Sequence, residues 1–287
     1  MKKIRRVRMI FGILMILTGA GIFSYPFVSN YLSNKNATVA VEEYREQVEQ
    51  MDKNEIDAIK EAAAARNAML SDVDADVKKD EKVDPDTYKD LINIGAALGY
   101  ITIPCIDLNL PIYEGTGDTV LEKGVGHITE TSYPLGGKDT HAVLSAHRGL
   151  AEAELFTNLD KVKRGNQFYL HILDEVLAYE VDQVKVVEPD DISDLQTIEG
   201  EDLCSLVTCT PLGINSHRLI VRGHRVPYNG EDDDAKSIYQ SVHTGTAMAR
   251  LVRIWPWLAL TAIVLMGTEM LFCMMIVKRM KRRMEED

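Results

Sequence analysis

The sequence predicts a mainly β protein: a compact β-sandwich or barrel with short helices, preceded by an N-terminal helical segment and held between two transmembrane helices. Three patterns carry this reading. From Leu98 to Val226, short apolar and β-branched runs alternate with turn residues. Before them, Val41, Tyr44, Val48, Met51, Ile56 and Ile59 recur at three- to five-residue steps, as on one face of a helix. Two long apolar stretches, Met9–Ser29 and Ile254–Val277, each adjoin a cluster of basic residues.

Taken in order, residues 1–29 hold Lys2, Lys3, Arg5, Arg6 and Arg8 and then an apolar run long enough to cross a bilayer, which takes about 20 residues. No small-x-small cleavage site follows it, so an uncleaved signal-anchor is favoured over a removable signal peptide. Residues 30–97 form an extracytoplasmic helical segment whose helix, Val39–Met69, is expected to lie against the main domain or to stand it off the membrane, in preference to binding a partner. Its last part, Ser71–Thr87, is acidic and poor in apolar residues, and lacks the glycine and glutamate of a calcium-binding loop.

Residues 98–227 form the barrel, with strands expected at Tyr100–Ile103, Leu110–Tyr113, His141–Ala146, Phe168–Leu173, Val176–Val187, Leu203–Cys209 and Arg218–Val226, and a helix at Glu152–Lys163. An acidic linker (228–253) leads to the second span (254–277), which carries Glu269, and to a basic tail (278–287). Positive charge at both ends places both termini in the cytoplasm and residues 30–253 outside.

Charge and cysteine content exclude several function classes. The chain of 287 residues carries net −12; its ends contribute +5 and +2, so the remainder carries −19. Such a surface disfavours nucleic acid. The four cysteines, Cys105, Cys204, Cys209 and Cys273, form no CxxC pair, which removes the zinc-ribbon and thioredoxin-type motifs. Cys204 and Cys209 are five apart, so on one strand they face opposite sides. Cys105 and Cys204 read as small buried hydrophobes. The glycines at 115, 117, 136 and 137 match neither a P-loop nor a dinucleotide fingerprint.

The stretch Ser205–Arg225 carries chemistry. It reads as a strand, a turn containing Pro211, Gly213 and Asn215, and a second strand. Antiparallel pairing sets Cys209 opposite Arg218 and Ser205 opposite Arg222, about 13 Å further along. A cysteine is a nucleophile, and an arginine beside it can hold a developing oxyanion. His147 also closes a β-run, before Gly149, and a histidine near a cysteine can stabilise its thiolate and protonate a leaving amine.

These residues resemble the sortases, membrane-anchored cysteine transpeptidases of Gram-positive bacteria. The likeness rests on Leu206-Val-Thr-Cys209, on Arg218 nine positions later, on His147 in Leu-Ser-Ala-His-Arg-Gly, and on Gly99–Pro104, Gly124–His127, Leu155–Lys161 and Val187–Asp191. Two spans and a long segment before the barrel resemble class C, the pilus-assembling branch. The resemblance implies that the β domain is a closed sortase-type β-barrel in which Cys209 attacks the Thr–Gly bond of an LPXTG-type signal, with His147 as acid/base and Arg218 as substrate or oxyanion holder. A pilin lysine would resolve the acyl-enzyme, and no metal or organic cofactor is implied.

The chain departs from the family pattern at two places. Ser205 replaces the usual Thr, and the Asp-Pro-aromatic anchor of the class C lid is missing. Asp84-Pro85 precedes Asp86, and Asp72 and Asp74 have no adjacent Pro or aromatic, so either an altered lid lies within residues 71–86 or none is effective. Alternative readings are a sortase that anchors surface proteins to peptidoglycan, and a non-catalytic membrane-tethered binding module.

Overall fold

A computed structural model describes residues 2–71 and 97–228. The expectations for Asp72, Asp74, Asp84 and Pro85, for the linker and for the second span lie outside these residues. Helix α1 (Lys2–Gln50) contains the apolar stretch that begins at Met9, and among the described residues it is the one helix long and apolar enough to cross a membrane. Residues 2–28 and 29–228 belong to separate compact units.

The expected single helix over Val39–Met69 is two: α1 ends at Gln50, and α2 runs Lys53–Ser71. Asp52 starts α2 by accepting Glu55 and Ile56 amides on its backbone carbonyl, with its carboxylate taking the Asn54 amide. From Ser29 onward α1 lies against the barrel, as does α2. The buried Tyr44 hydroxyl donates to the Leu98 carbonyl (3.0 Å) and accepts from the Leu173 amide (2.7 Å). Ala37, Ile56, Ile59 and Ala63 join the main hydrophobic core.

Eight strands close the barrel: β1 (Gly99–Ile103), β2 (Leu108–Glu114), β3 (Val125–His127), β4 (Thr140–Ser145), β5 (Gln167–Ile172), β6 (Glu175–Val187), β7 (Asp202–Thr210) and β8 (His217–Val226). Their order around the barrel is β1-β2-β3-β4-β7-β8-β6-β5, returning to β1. Two neighbouring pairs, β2/β3 and β4/β7, are parallel. Strand β3 was not among the expected strands; three residues with a central glycine give no alternating signal. The expected helix at Glu152–Lys163 is a 3-10 segment, Leu155–Lys161, because Leu155 sits at φ 38° and Phe156 leaves helical geometry.

Alternation along β7 sorts its side chains. Cys204 and Leu206 point into the main core with Leu144, Leu219 and Val221. Val207 faces the outer surface, where it forms a second, smaller cluster with Val143, Val187 and Ile220. Leu195, from the connection between β6 and β7, packs on that outer cluster. The outer face of β4, β7 and β8 is therefore apolar and partly roofed, and it leads to the β7 end.

Candidate active site

Cys209 stands one residue from the end of β7, on the outer face by strand parity, and is half-buried. Across the hairpin the register pairs Cys209 with Arg218 and Ser205 with Arg222. The turn forms because Pro211 offers its carbonyl to the Ile214 and Asn215 amides, at 3.1 and 2.9 Å. Gly213 (φ 77°) and Asn215 (φ 60°) take the left-handed positions that this turn needs. The Arg218 guanidinium donates to the carbonyls of Asn215 (3.3 Å) and His217 (3.1 Å), which keep it over the turn beside Cys209. Arg222 is committed elsewhere. It makes a two-pronged pair with Asp182, at 3.1 and 2.9 Å.

The base candidate arrives from β4. The last β4/β7 register pair is Ser145 with Val207, and parallel continuation by two residues sets His147 beside Cys209. Bonds on both sides of that position agree: Thr208 Oγ1 donates to the Ala146 carbonyl (2.8 Å), and Arg148 donates to Thr210 Oγ1 (2.9 Å). His147 is half-buried, and its carbonyl accepts the Phe156 amide at 3.1 Å. The structure thus brings the ends of β4, β7 and β8 together at one partly open rim. A thiol, an imidazole and a guanidinium so placed can support nucleophilic attack on a carbonyl, proton transfer and oxyanion stabilisation.

Sequence reasoning left His141 unassigned. Its Nε2 lies 2.8 Å from Ser205 Oγ and its Nδ1 2.8 Å from the Gln196 carbonyl. A carbonyl only accepts, so Nδ1 carries the proton and the Ser205 hydroxyl donates to Nε2. Burial lowers the His141 pKa, which keeps the ring neutral. The hydroxyl at position 205 is therefore used, and His141 ties the β6–β7 connection to the barrel. No motif announced this contact; only the fold brings residues 141, 196 and 205 together.

The cysteine expectations need one correction. Cys204 is fully buried, and desolvation raises its thiol well above the ordinary range. Cys105, expected to be a buried hydrophobe, is exposed, because it lies in the 3-10 turn Pro104–Ile106 that carries the chain out of β1. Partial shielding of its thiol still raises its pKa.

Comparison with known proteins places this geometry. The sortase domain family matches residues 101–226. Sortase D of Bacillus subtilis is 35% identical over 135 residues, covering 46% of this chain and 65% of that protein, so the match spans just under two thirds of its length. Streptococcus pneumoniae sortase C has a crystal structure 48% identical, with a TM-score of 0.59 over 66% of this chain and 97% of that one. Streptococcus agalactiae sortase C1 is 44% identical, with a TM-score of 0.62 over 67% and 99%. With such identity to class C structures over almost their whole lengths, this chain belongs to the sortase family of cysteine transpeptidases, in its class C branch.

Proposed function

We propose that this protein is a membrane-anchored pilin polymerase that cleaves an LPXTG-type sorting signal between Thr and Gly and joins the Thr carbonyl to a lysine amine of another pilin subunit. The observation that carries the reading is the register that sets Cys209 beside Arg218 on one strand and beside the end of β4, with His147, on the other. The Cys209 thiolate attacks the Thr carbonyl carbon, and Arg218 stabilises the oxygen that becomes negative. Collapse breaks the Thr–Gly bond. His147 gives its proton to the departing glycine amine, leaving a thioester on Cys209. The lysine amine then attacks the thioester, His147 accepts its proton, and an isopeptide bond replaces the C–S bond. The chemistry is covalent and acid–base throughout, with no call on a metal or organic cofactor.

Exposed apolar residues Leu212 and Ile214 in the β7–β8 turn, with Ile192 in the β6–β7 connection, offer greasy contacts for the Leu and Pro of the signal. The apolar part of α1 serves as the membrane anchor, with residues 254–277 as a second span, both termini cytoplasmic and the barrel outside. Another solved sortase C1 structure is of a lid mutant; a lid in this chain would lie in altered form within residues 71–86, with Asp72, Asp74, Asp84 and Pro85, the alternative being no effective lid. The pilus reading is favoured over peptidoglycan anchoring because class C structures match at 42–48% identity, against 34% for Streptococcus agalactiae sortase A and 29% for Staphylococcus aureus sortase A.

The test is a mass shift. Incubation with an LPXTG peptide is expected to leave an acyl adduct on the wild-type protein and none on Cys209→Ala. An adduct that persists in Cys209→Ala would reject the assignment. Supplying either a pilin lysine or a peptidoglycan cross-bridge amine then identifies the acceptor.

A further inference from the structure

Beyond Ser145 and Val207 the β4/β7 ladder gives out. One more backbone bond, from the Ala146 amide to the Val207 carbonyl, reaches 3.3 Å, and β4 ends. His147 therefore sits on a segment that no regular strand pairing holds, immediately before a turn at Gly149 (φ 78°). Yet transfer of a proton at a sulfur or an amine demands a fixed geometry, and misplacement by about 1 Å can slow catalysis on the order of 100-fold. Something must replace the missing rungs.

The next residue supplies them. Arg148 has an 8% exposed side chain and uses every face of its guanidinium. Nη1 donates to Thr210 Oγ1 (2.9 Å), Nε to the Thr157 carbonyl (3.3 Å), and Nη2 pairs with Asp160 (2.8 Å). The Gly149 amide adds a bond to Thr157 Oγ1 at 3.0 Å. Thr210 follows Cys209 as Arg148 follows His147. Adjacent residues of an extended chain point to opposite sides, so the Arg148–Thr210 rung lies behind the His147–Cys209 position and sets its width. Asp160 offsets the charge of Arg148, so the contribution is one of position.

We propose that Arg148 is a positioning residue for the transpeptidation: a side-chain rung from Arg148 to Thr210, anchored on the 3-10 segment through Thr157 and Asp160, replaces the β4/β7 ladder and holds His147 at working distance from Cys209. This rests on the catalytic reading of Cys209 and His147. A lysine at position 148 keeps the charge but loses the fork, because an ammonium cannot reach three acceptors in one plane.

The experiment compares Arg148→Lys, Thr210→Val and the double variant in the full-length protein, each with an LPXTG peptide. Single-turnover acylation and, in a Cys105→Ala background, the pH dependence of Cys209 alkylation are followed, with thermal melting as a fold control. Arg148→Lys is expected to slow acylation on the order of 100-fold at unchanged KM. Thr210→Val is expected to slow it about 10-fold, and the double variant to be no slower than Arg148→Lys, since both cut one rung. The alkylation profile is expected to move in both single variants, because a displaced His147 no longer stabilises the thiolate. Wild-type acylation and an unmoved profile in Thr210→Val would overturn the proposal, as would additive losses in the double variant. Failure of the catalytic reading is a separate result, read from adduct formation on Cys209→Ala. Because Thr210→Val is nearly isosteric, it keeps the test decisive if Arg148→Lys melts early.

Discussion

Arg218 and Arg222 lie four residues apart on the same strand and the same face, but their surroundings give them different work. Arg218 leans on the carbonyls of Asn215 in the turn and His217 at the start of β8, whereas Arg222 is clamped by Asp182. Arg218→Ala is therefore expected to lower kcat/KM for an LPXTG peptide by about 100- to 1,000-fold, the usual loss when an oxyanion donor is removed. Arg222→Ala is expected to keep most activity and to lose about 1–3 kcal/mol of stability in denaturant unfolding, since it strands Asp182. The opposite ranking would overturn the role given to Arg218. Thiol accessibility is also settled residue by residue. A maleimide is expected to modify Cys105 and Cys209 of the folded protein and to spare Cys204, so Cys209 reactivity is best read in a Cys105→Ala background.

At the scale of elements, the contact between α2 and the barrel deserves a measurement because it is polar and buried. Asn67 donates from Nδ2 to the Tyr133 carbonyl (3.1 Å) and accepts the Tyr133 amide on Oδ1 (2.7 Å), so its amide imitates a strand partner. Next to it, the Arg66 guanidinium lies 4.3 Å from the centre of the Tyr133 ring and donates to the Thr129 and Thr131 carbonyls. Asn67→Ala is expected to destabilise the fold by about 1–3 kcal/mol in denaturant unfolding, because the buried Tyr133 amide loses its acceptor, while the Tyr133 carbonyl keeps only the Leu135 amide (2.7 Å).

Neither contact was legible beforehand. Periodicity revealed that residues 39–69 are helical, but Asn67 looked like an ordinary polar position. The strands were legible where alternation ran for five residues or more, as in β6 and β7, and not in β3. The Cys209–Arg218 pairing was legible because a short turn fixes antiparallel register. The approach of His147 was not, since a parallel neighbour can come from any distance along the chain; there the family likeness supplied what local pattern could not.

For the molecule as a whole, buried histidines contribute to the response to acid. His171 is buried, its ring stacked 4.1 Å from that of Tyr100, and desolvation lowers its pKa from 6.5 to about 4. The unfolded chain therefore binds this proton more readily than the folded one. The contribution is fully present above pH 6.5, declines as the pH falls, and is lost below about pH 4, amounting to about 3 kcal/mol. His141, shifted in the same direction, adds to the decline. Denaturant unfolding at pH 7 and pH 4 is expected to show a smaller acid loss in His171→Phe than in wild type. An equal loss would show that acid lability arises elsewhere.

The parallel seam between β4 and β7 also governs when the chain becomes reactive. Cys209 and His147 are joined by no local turn; two strands, β5 and β6, and two long connections intervene. Pairing at such sequence separation forms late and slowly, because the loop entropy is spent before the contact returns anything. On the proposed catalytic reading, the thiol is therefore an ordinary cysteine while the chain is being made, and it gains His147 as a neighbour only when the barrel closes. Completion of the fold is itself the activating event.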